Sequence, residues 1–344
     1  MRKSCIQYAR INAHTQNQPT TGILEEFRIE FLECWKRLPN KAFFFLLAGA
    51  WLALFHFLGN STLGYVRTPS LLHWMYTSYS SSTGDNATSD DGHGLFIPFV
   101  VIGLFWWKRK ELMALPLKAW LPGLVLLVMA LALHIAGYAV QQPRISIIAL
   151  FLGLYGLMAL AWGPAWLRAS FFPFFLFAFS VPLGSLAESI TFPLRLLVCR
   201  LVDLISHYVL AIDIIRNGTA LLDPTGRYQY EVAVACSGMR SLIATLALAL
   251  IYAWLSFPQW WKRIVLIGSA FPLAVMGNLL RMLAIVIAAE IGGKKAGDYV
   301  HEGGPYGIIS LLPYVPAFAG LLLLGHWLRP REAAAVLPLN TKTA

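Results

Sequence analysis

The sequence predicts an all-α fold: a polytopic membrane protein with about eight transmembrane helices and both termini cytoplasmic. Three observations carry this. The hydrophobic set makes up 58% of the 344 residues and charged residues 13%, against about 45–50% and about 25% in soluble proteins. The apolar residues fall in long runs, as membrane spans require. Lysines and arginines gather before the first run and after the second, sixth and eighth, so the positive-inside rule puts both termini in the cytoplasm. The 27 Lys and Arg against 17 Asp and Glu, a formal +10, sit mostly beside apolar runs. They suit topology and anionic lipid headgroups, and nucleic acid is excluded as a partner.

Residues 1–41 read as a cytoplasmic N-terminal segment, polar and of mixed charge, without the pattern of a cleavable signal. Within it, Ile23 to Leu38 predicts a short amphipathic helix on the inner surface. The transmembrane domain is expected over 42–330, and 331–344 form a cytoplasmic tail. The first span runs about 42–59, followed by a polar loop from Asn60 to about Gly92. The second, about 94–107, ends in Trp106-Trp107-Lys108-Arg109-Lys110, where tryptophans meeting cations mark an inner interface. Spans three and four, about 119–139 and 145–162, are joined by the turn Gln141-Gln142-Pro143-Arg144. The fifth covers about 165–183. The less apolar stretch to about Leu210 reads as an interfacial or tightly packed amphipathic helix.

A polar loop from Ile212 to Tyr230 holds two turns, Asn217-Gly218 and Asp223-Pro224-Thr225-Gly226. The alternation Tyr228, Tyr230, Val232, Val234 predicts a short strand after them. The sixth span, about 237–256, is closed by Trp260, Trp261, Lys262 and Arg263. The seventh covers about 264–290, a loop 291–304, and the eighth about 306–328.

The four cysteines, Cys5, Cys34, Cys199 and Cys236, show no paired spacing, and no HExxH pattern is present. Neither a disulfide framework nor a metal site is expected, and no cofactor is implied. Chemistry concentrates at Glu231-Val-Ala-Val-Ala-Cys236-Ser237-Gly238-Met239-Arg240, where a polar loop gives way to an apolar helix. Cys236 and Arg240 share a helical face, and a neighbouring cation favours the nucleophilic thiolate. The same residues could equally be a small apolar filler and a snorkelling cation.

Span seven carries Asn278 and Arg281, three residues apart on one face. Arg281 lies 18 residues beyond Arg263, about 27 Å of helical rise through a layer of about 30 Å. On the predicted topology it therefore approaches the outer face, where Cys236 and the His301 loop also fall. An arginine inside a span is costly unless paired or hydrated and so marks a candidate site. Glu290, nine residues on, falls on roughly the opposite side of the helix and is expected at the interface. Cysteine, histidine and arginine together suit acyl transfer: thiolate attack on a carbonyl, a histidine handling the proton, an arginine stabilising negative charge. Either Arg240 or Arg281 could serve the sulfur or the carbonyl oxygen.

Ala235-Cys236-Ser237-Gly238-Met239-Arg240-Ser241-Leu242, Asn278-Leu-Leu-Arg281 and His301 followed by Gly303-Gly304 resemble the exosortase/archaeosortase family of membrane transpeptidase-like proteases. His93-Gly94-Leu95-Phe96-Ile97-Pro98 and Arg216-Asn217-Gly218 agree with it, and the resemblance covers roughly 70–328. It implies Cys236 as the acyl-thioester nucleophile, Arg281 as proton donor and His301 as transition-state stabiliser, with Arg240, Asn278, Ser237 and Gly238 in support. It also implies an active site on the periplasmic face of the inner membrane. The implied partners, besides membrane lipid, are exported proteins bearing a C-terminal tripartite sorting tail (a motif such as PEP, a transmembrane helix and a basic cluster). A transporter or export component for envelope polysaccharide, with Arg281 and Glu290 lining a path, is the competing reading. No internal repeat supports it.

Overall fold

The computed structural model describes residues 22–62, 66–80, 91–183, 186–231, 239–304, 308–309 and 311–329. They are mostly helical, and the chain divides into two compact units. Three helices are long and apolar enough to cross a membrane, Lys41–Leu58, Pro143–Trp162 and Trp260–His301; Ile97–Trp107, Gly123–Ala139, Ser241–Ser256 and Tyr314–Leu328 are shorter apolar helices. This is the architecture of a membrane protein, with one departure from all-α: a small antiparallel sheet.

The first unit comprises residues up to Thr62, Pro69–Leu71 and Val101–Phe174. It opens with α1 (Ile23–Arg37), whose acidic first turn and basic last turn suit the helix dipole. The expected amphipathic helix is therefore present. Phe27 and Phe31 pack against Trp106, and Glu30 pairs with Arg109 and Lys110.

Next come α2 (Lys41–Leu58), α6 (Gly123–Ala139) and α7 (Pro143–Trp162). Small residues let these helices approach closely, the usual device where lipid offers no hydrophobic gain for association. Gly153 faces the Trp51 indole, and Gly123 and Gly156 lie in the α6–α7 contact. Trp51 Nε1 donates to the Leu150 carbonyl at 3.0 Å, and His134 Nδ1 sits 3.0 Å from Ser146 Oγ. The buried polar atoms of this core are thus matched to one another.

The second unit comprises Leu63–Thr68, Leu72–Val100 and the chain from Phe175 onward. Its first helix, α3 (Leu71–Ser80), lies inside the stretch expected to be a polar loop. Leu71, Trp74, Met75 and Tyr79 are buried at helical spacing, a short period outweighed in the sequence by the Ser, Thr and Asp that follow. The expected second span becomes a 3₁₀ turn (Gly92–Leu95) followed by α4 (Ile97–Trp107), which both units share. After α5 (Arg109–Met113), the expected fifth span is α8 (Pro164–Phe175) with a 3₁₀ turn to Ser180; Pro173 falls near the change. The Tyr79 hydroxyl donates to the Ser180 carbonyl, and Asp91 accepts the Leu183 N–H at 3.0 Å.

The amphipathic segment is α9 (Leu186–Tyr208). It leads into strands β1 (Ile215–Asn217), β2 (Ala220–Leu222) and β3 (Gln229–Glu231), ordered β1-β2-β3. One strand was expected near Tyr228; the other two follow from the turns at Asn217-Gly218 and Asp223–Gly226 folding the chain back on itself.

Then come α10 (Met239–Ser256), α11 (Trp260–His301) and α12 (Tyr314–Leu328). Ala249, Ala253, Leu266, Ala270 and Leu321 form their common core. At its end Lys262 Nζ donates to the Leu328 carbonyl at 2.6 Å, and the Arg263 guanidinium lies 4.2 Å from the Trp254 ring centroid.

α11 is two helices meeting at a kink, and its first arm, residues 260–292, lies within a few residues of the expected seventh span. That arm rises about 50 Å against a hydrocarbon layer of about 30 Å. The expected loop 291–304 is largely helix, broken at Gly293 (φ 69°, ψ −173°). Residues 1–21, 81–90 and 330–344, including the tail and part of the predicted loop, lie outside the described residues.

The α2–α7 contact makes a direct prediction. Gly153→Ala drives a methyl into the Trp51 ring and should cost about 1–3 kcal/mol by overpacking. The thermal midpoint of the purified protein in detergent reads this, and an unchanged midpoint would contradict the packing.

Candidate active site

The polar groups that approach one another in the second unit are carried by α11 and by the sheet beside it. Arg281 sits in the membrane-length part of α11, between helix positions that face a fully buried apolar cluster of Met282, Ile285, Val286 and Ala289. Its Nη2 donates to the His301 carbonyl at 3.2 Å. The described residues offer no hydrogen-bond partner to its buried Nε. They also supply no carboxylate in ion-pair contact with it. A cation so placed keeps its field for an incoming anion or a developing oxyanion.

Asn278, one turn earlier, is 3% exposed. Among the described contacts Arg281 reaches His301 and not Asn278.

The chain can bring His301 back to Arg281 because α11 breaks at Gly293. Its φ of 69° with ψ of −173° is a conformation almost confined to glycine. The short arm after the break ends at His301, which is therefore a helix terminus and not the loop residue expected. Gly303 (φ 100°) and Gly304 (φ 65°) stop the helix in left-handed conformations. There the Gly304 N–H donates to the Tyr299 carbonyl at 2.8 Å. The Gly-Gly pair after the histidine is thus a C-terminal cap.

Glu290 has a different partner from any the sequence suggested. Arg227 Nη2 donates to both of its carboxylate oxygens at 3.1 Å and to Asp223 Oδ1 at 2.9 Å. The Asp223 carboxyl also accepts from Thr225 and from the Arg227 N–H, and these bonds hold it well below the usual carboxylate range. Arg227 and Asp223 stand four residues apart across the Asp-Pro-Thr-Gly turn, which is the signal sequence reading passed over.

Tyr228 and Tyr230 complete the junction: both are buried, with Leu221 opposite Tyr230 in the β2–β3 register. Burial pushes both phenols up to about 12.

Cys236, Ser237 and Gly238 lie outside the described residues, as does the Arg240 side chain. The structure therefore brings Arg281 to His301 and sets Asn278 close by on α11. β3 ends five residues before Cys236 in the sequence, and α10 opens three after it.

This chain belongs to the transmembrane exosortase family, whose model matches residues 85–329. The match takes in Cys236, Arg281 and His301 and leaves α1, α2 and α3 ahead of it. It carries the coarse reading, a membrane-embedded sorting enzyme. No curated protein and no solved structure matches the chain.

His301 stands beyond the Gly293 break, outside the membrane-length part of α11. Its imidazole pKa is lowered from the ordinary 6.5, first by burial and then by the Arg281 charge; Asp298 and Glu302 oppose this and Lys294 adds to it. A lowered folded pKa means that the unfolded chain binds the proton more readily, so stability falls as pH drops below 6.5. We predict that His301→Gln weakens the fall in thermal midpoint on the acid side when pH is scanned from about 8 to about 5. A variant curve parallel to wild type would contradict it.

Proposed function

We propose that the protein is a membrane-embedded cysteine peptidase or transpeptidase that cleaves the C-terminal sorting tail of exported proteins. The observation that carries the reading is the family match over residues 85–329, which takes in Cys236, Arg281 and His301 in that order. The 3.2 Å contact between Arg281 and the His301 backbone supports it, because two of the three sites then belong to one local structure.

In the proposed reaction His301 takes the proton of the Cys236 thiol, the thiolate adds to the scissile carbonyl, and the negative charge passes to the carbonyl oxygen. The uncompensated guanidinium of Arg281 is suited to that oxygen, and its pKa above about 12 makes it a poor source of protons. The intermediate collapses to a thioester as the C–N bond breaks. The leaving amine takes a proton, for which His301 is the better carrier. Water or an amine acceptor then resolves the thioester. Arg240, Asn278, Ser237 and Gly238 support the site.

We further propose eight spans with both termini cytoplasmic, a transmembrane domain over 42–330, and the active site at the outer face of the inner membrane. Clustered Lys and Arg at the ends of spans two, six and eight support that orientation. A tail with its own transmembrane helix would present its scissile bond at that depth.

The test is co-expression with a tagged exported protein carrying a motif, helix and basic cluster. Cys236→Ala should abolish processing, and processing at the wild-type level would overturn the proposal. A hydroxylamine-sensitive adduct should form on Cys236. Arg281→Lys should lose about two orders of magnitude in rate, the usual loss when an oxyanion donor is displaced. Full activity in that variant would remove Arg281 from the oxyanion role.

A further inference from the structure

The arm of α11 beyond Gly293 needs an external fastening. At Gly293 the helical conformation is interrupted, and a Cβ there would meet nothing within 4 Å, so local packing does not hold the break in place. The arm nevertheless carries His301, whose carbonyl accepts from Arg281.

One side chain touches the arm at its start, middle and end. The Tyr230 hydroxyl donates to the Lys294 carbonyl at 3.1 Å. Gly297 lies directly against that hydroxyl, where a Cβ would collide with it. The Tyr230 ring centroid is 6.0 Å from that of His301, with the planes 31° apart. Positions 294, 297 and 301 are spaced i, i+3, i+7, so they form one face of the helix. That face is turned to Tyr230. Val300 packs against the same cluster, in which Tyr230 itself is 4% exposed.

Tyr230 has its own anchorage. It pairs with Leu221 in the sheet, and its ring lies 5.6 Å from that of Tyr228. The sheet is tied to α11 just before the break by the Arg227–Glu290 ion pair. Strand β3 is thus fixed on one side of Gly293 and grips the arm on the other.

We infer that Tyr230 is a positioning residue of the active site: it locks the 294–301 arm across the Gly293 break and so sets the His301 imidazole beside Arg281. The role in processing rests on the function proposed above; the effect on His301 does not. Because β3 leads within five residues to Cys236, the same strand links the arm to the chain segment bearing the thiol.

The charged groups around His301 are Arg281, Lys294, Asp298 and Glu302, and of these Asp298 also interacts with the Tyr230 hydroxyl. Both Tyr230 variants release Asp298 from the hydroxyl alike, so the difference between them reports the loss of the ring's cover and hold on His301. Tyr230→Phe keeps the ring and removes the bond to Lys294; Tyr230→Leu removes both.

Full-length protein in nanodiscs is to be treated with diethylpyrocarbonate over a pH series, and His301 modification followed by peptide mass spectrometry. In parallel, processing of the tagged tail substrate gives kcat and KM. For Tyr230→Leu the His301 titration should move up toward the ordinary imidazole value, and kcat should fall roughly ten-fold with KM little changed, as for loss of positioning. Tyr230→Phe should modify faster at His301 and lose a smaller part of kcat, with the acid limb unmoved.

Unchanged modification and titration of His301 in both variants overturns the inference, whatever the activity. If Tyr230→Leu does not fold, the Phe variant decides alone, and wild-type modification in it overturns the inference. If His301 responds as stated while Cys236→Ala still processes substrate, the positioning stands and the peptidase reading falls.

Discussion

A guanidinium on a membrane-length helix is the constraint around which the second unit is arranged. Arg281 shares α11 with Met282 and Ile285, both fully buried, so its charge cannot simply be rotated into lipid. It must meet polar atoms, and the nearest that the helix can supply are its own. A straight α11 would carry residue 301 about 30 Å from residue 281. Breaking the helix at Gly293 brings the His301 carbonyl to 3.2 Å instead. Three glycines, Gly293, Gly303 and Gly304, hold positive φ within twelve residues, and each serves that return.

The sheet solves the complementary problem of holding a polar structure against an apolar helix. Leu221, Tyr228 and Tyr230 turn inward against Met282 to Ala289, while Arg227 reaches Glu290 at the edge of the contact. Asp223 takes the remaining donors of Arg227 and of the turn. The charged atoms are thus paired at the boundary, and the interior of the contact is apolar. The Arg227–Glu290 pair is open to water, with Arg227 about half exposed and Glu290 a third, and such pairs add at most about 1 kcal/mol. This arrangement therefore fixes register more than it strengthens the fold.

Much of this was legible in the chain. The long apolar runs located most helices to within a few residues, because membrane spans write their period and length openly. The approach of residue 281 to residue 301 was foreshadowed by motif and topology, whereas Cys236 lies outside the described residues. What could not be read has specific physical causes. α3 was hidden because four buried residues over nine positions carry a weak period beside a Ser-rich stretch. The arm after Gly293 looked like loop because Gly292, Gly293, Lys294 and Lys295 are poor span formers, yet tertiary contacts with Tyr230 override that preference. The partner of Glu290 was missed because Arg227 lies 63 residues away in sequence, across a fold-back that only the sheet creates.

These parts fit one mechanical account. On the proposed function, peptide-bond cleavage needs a nucleophile, an anion-stabilising charge and a proton carrier held within a few tenths of an ångström, and the chain draws them from separate places in its sequence. α11 carries two of them, and its break makes them neighbours. The strand before Cys236 is bonded to the arm bearing one of those two. Rigidity is therefore concentrated where β3, α11 and the arm meet, and the family match spans that junction while leaving α1 to α3 outside it.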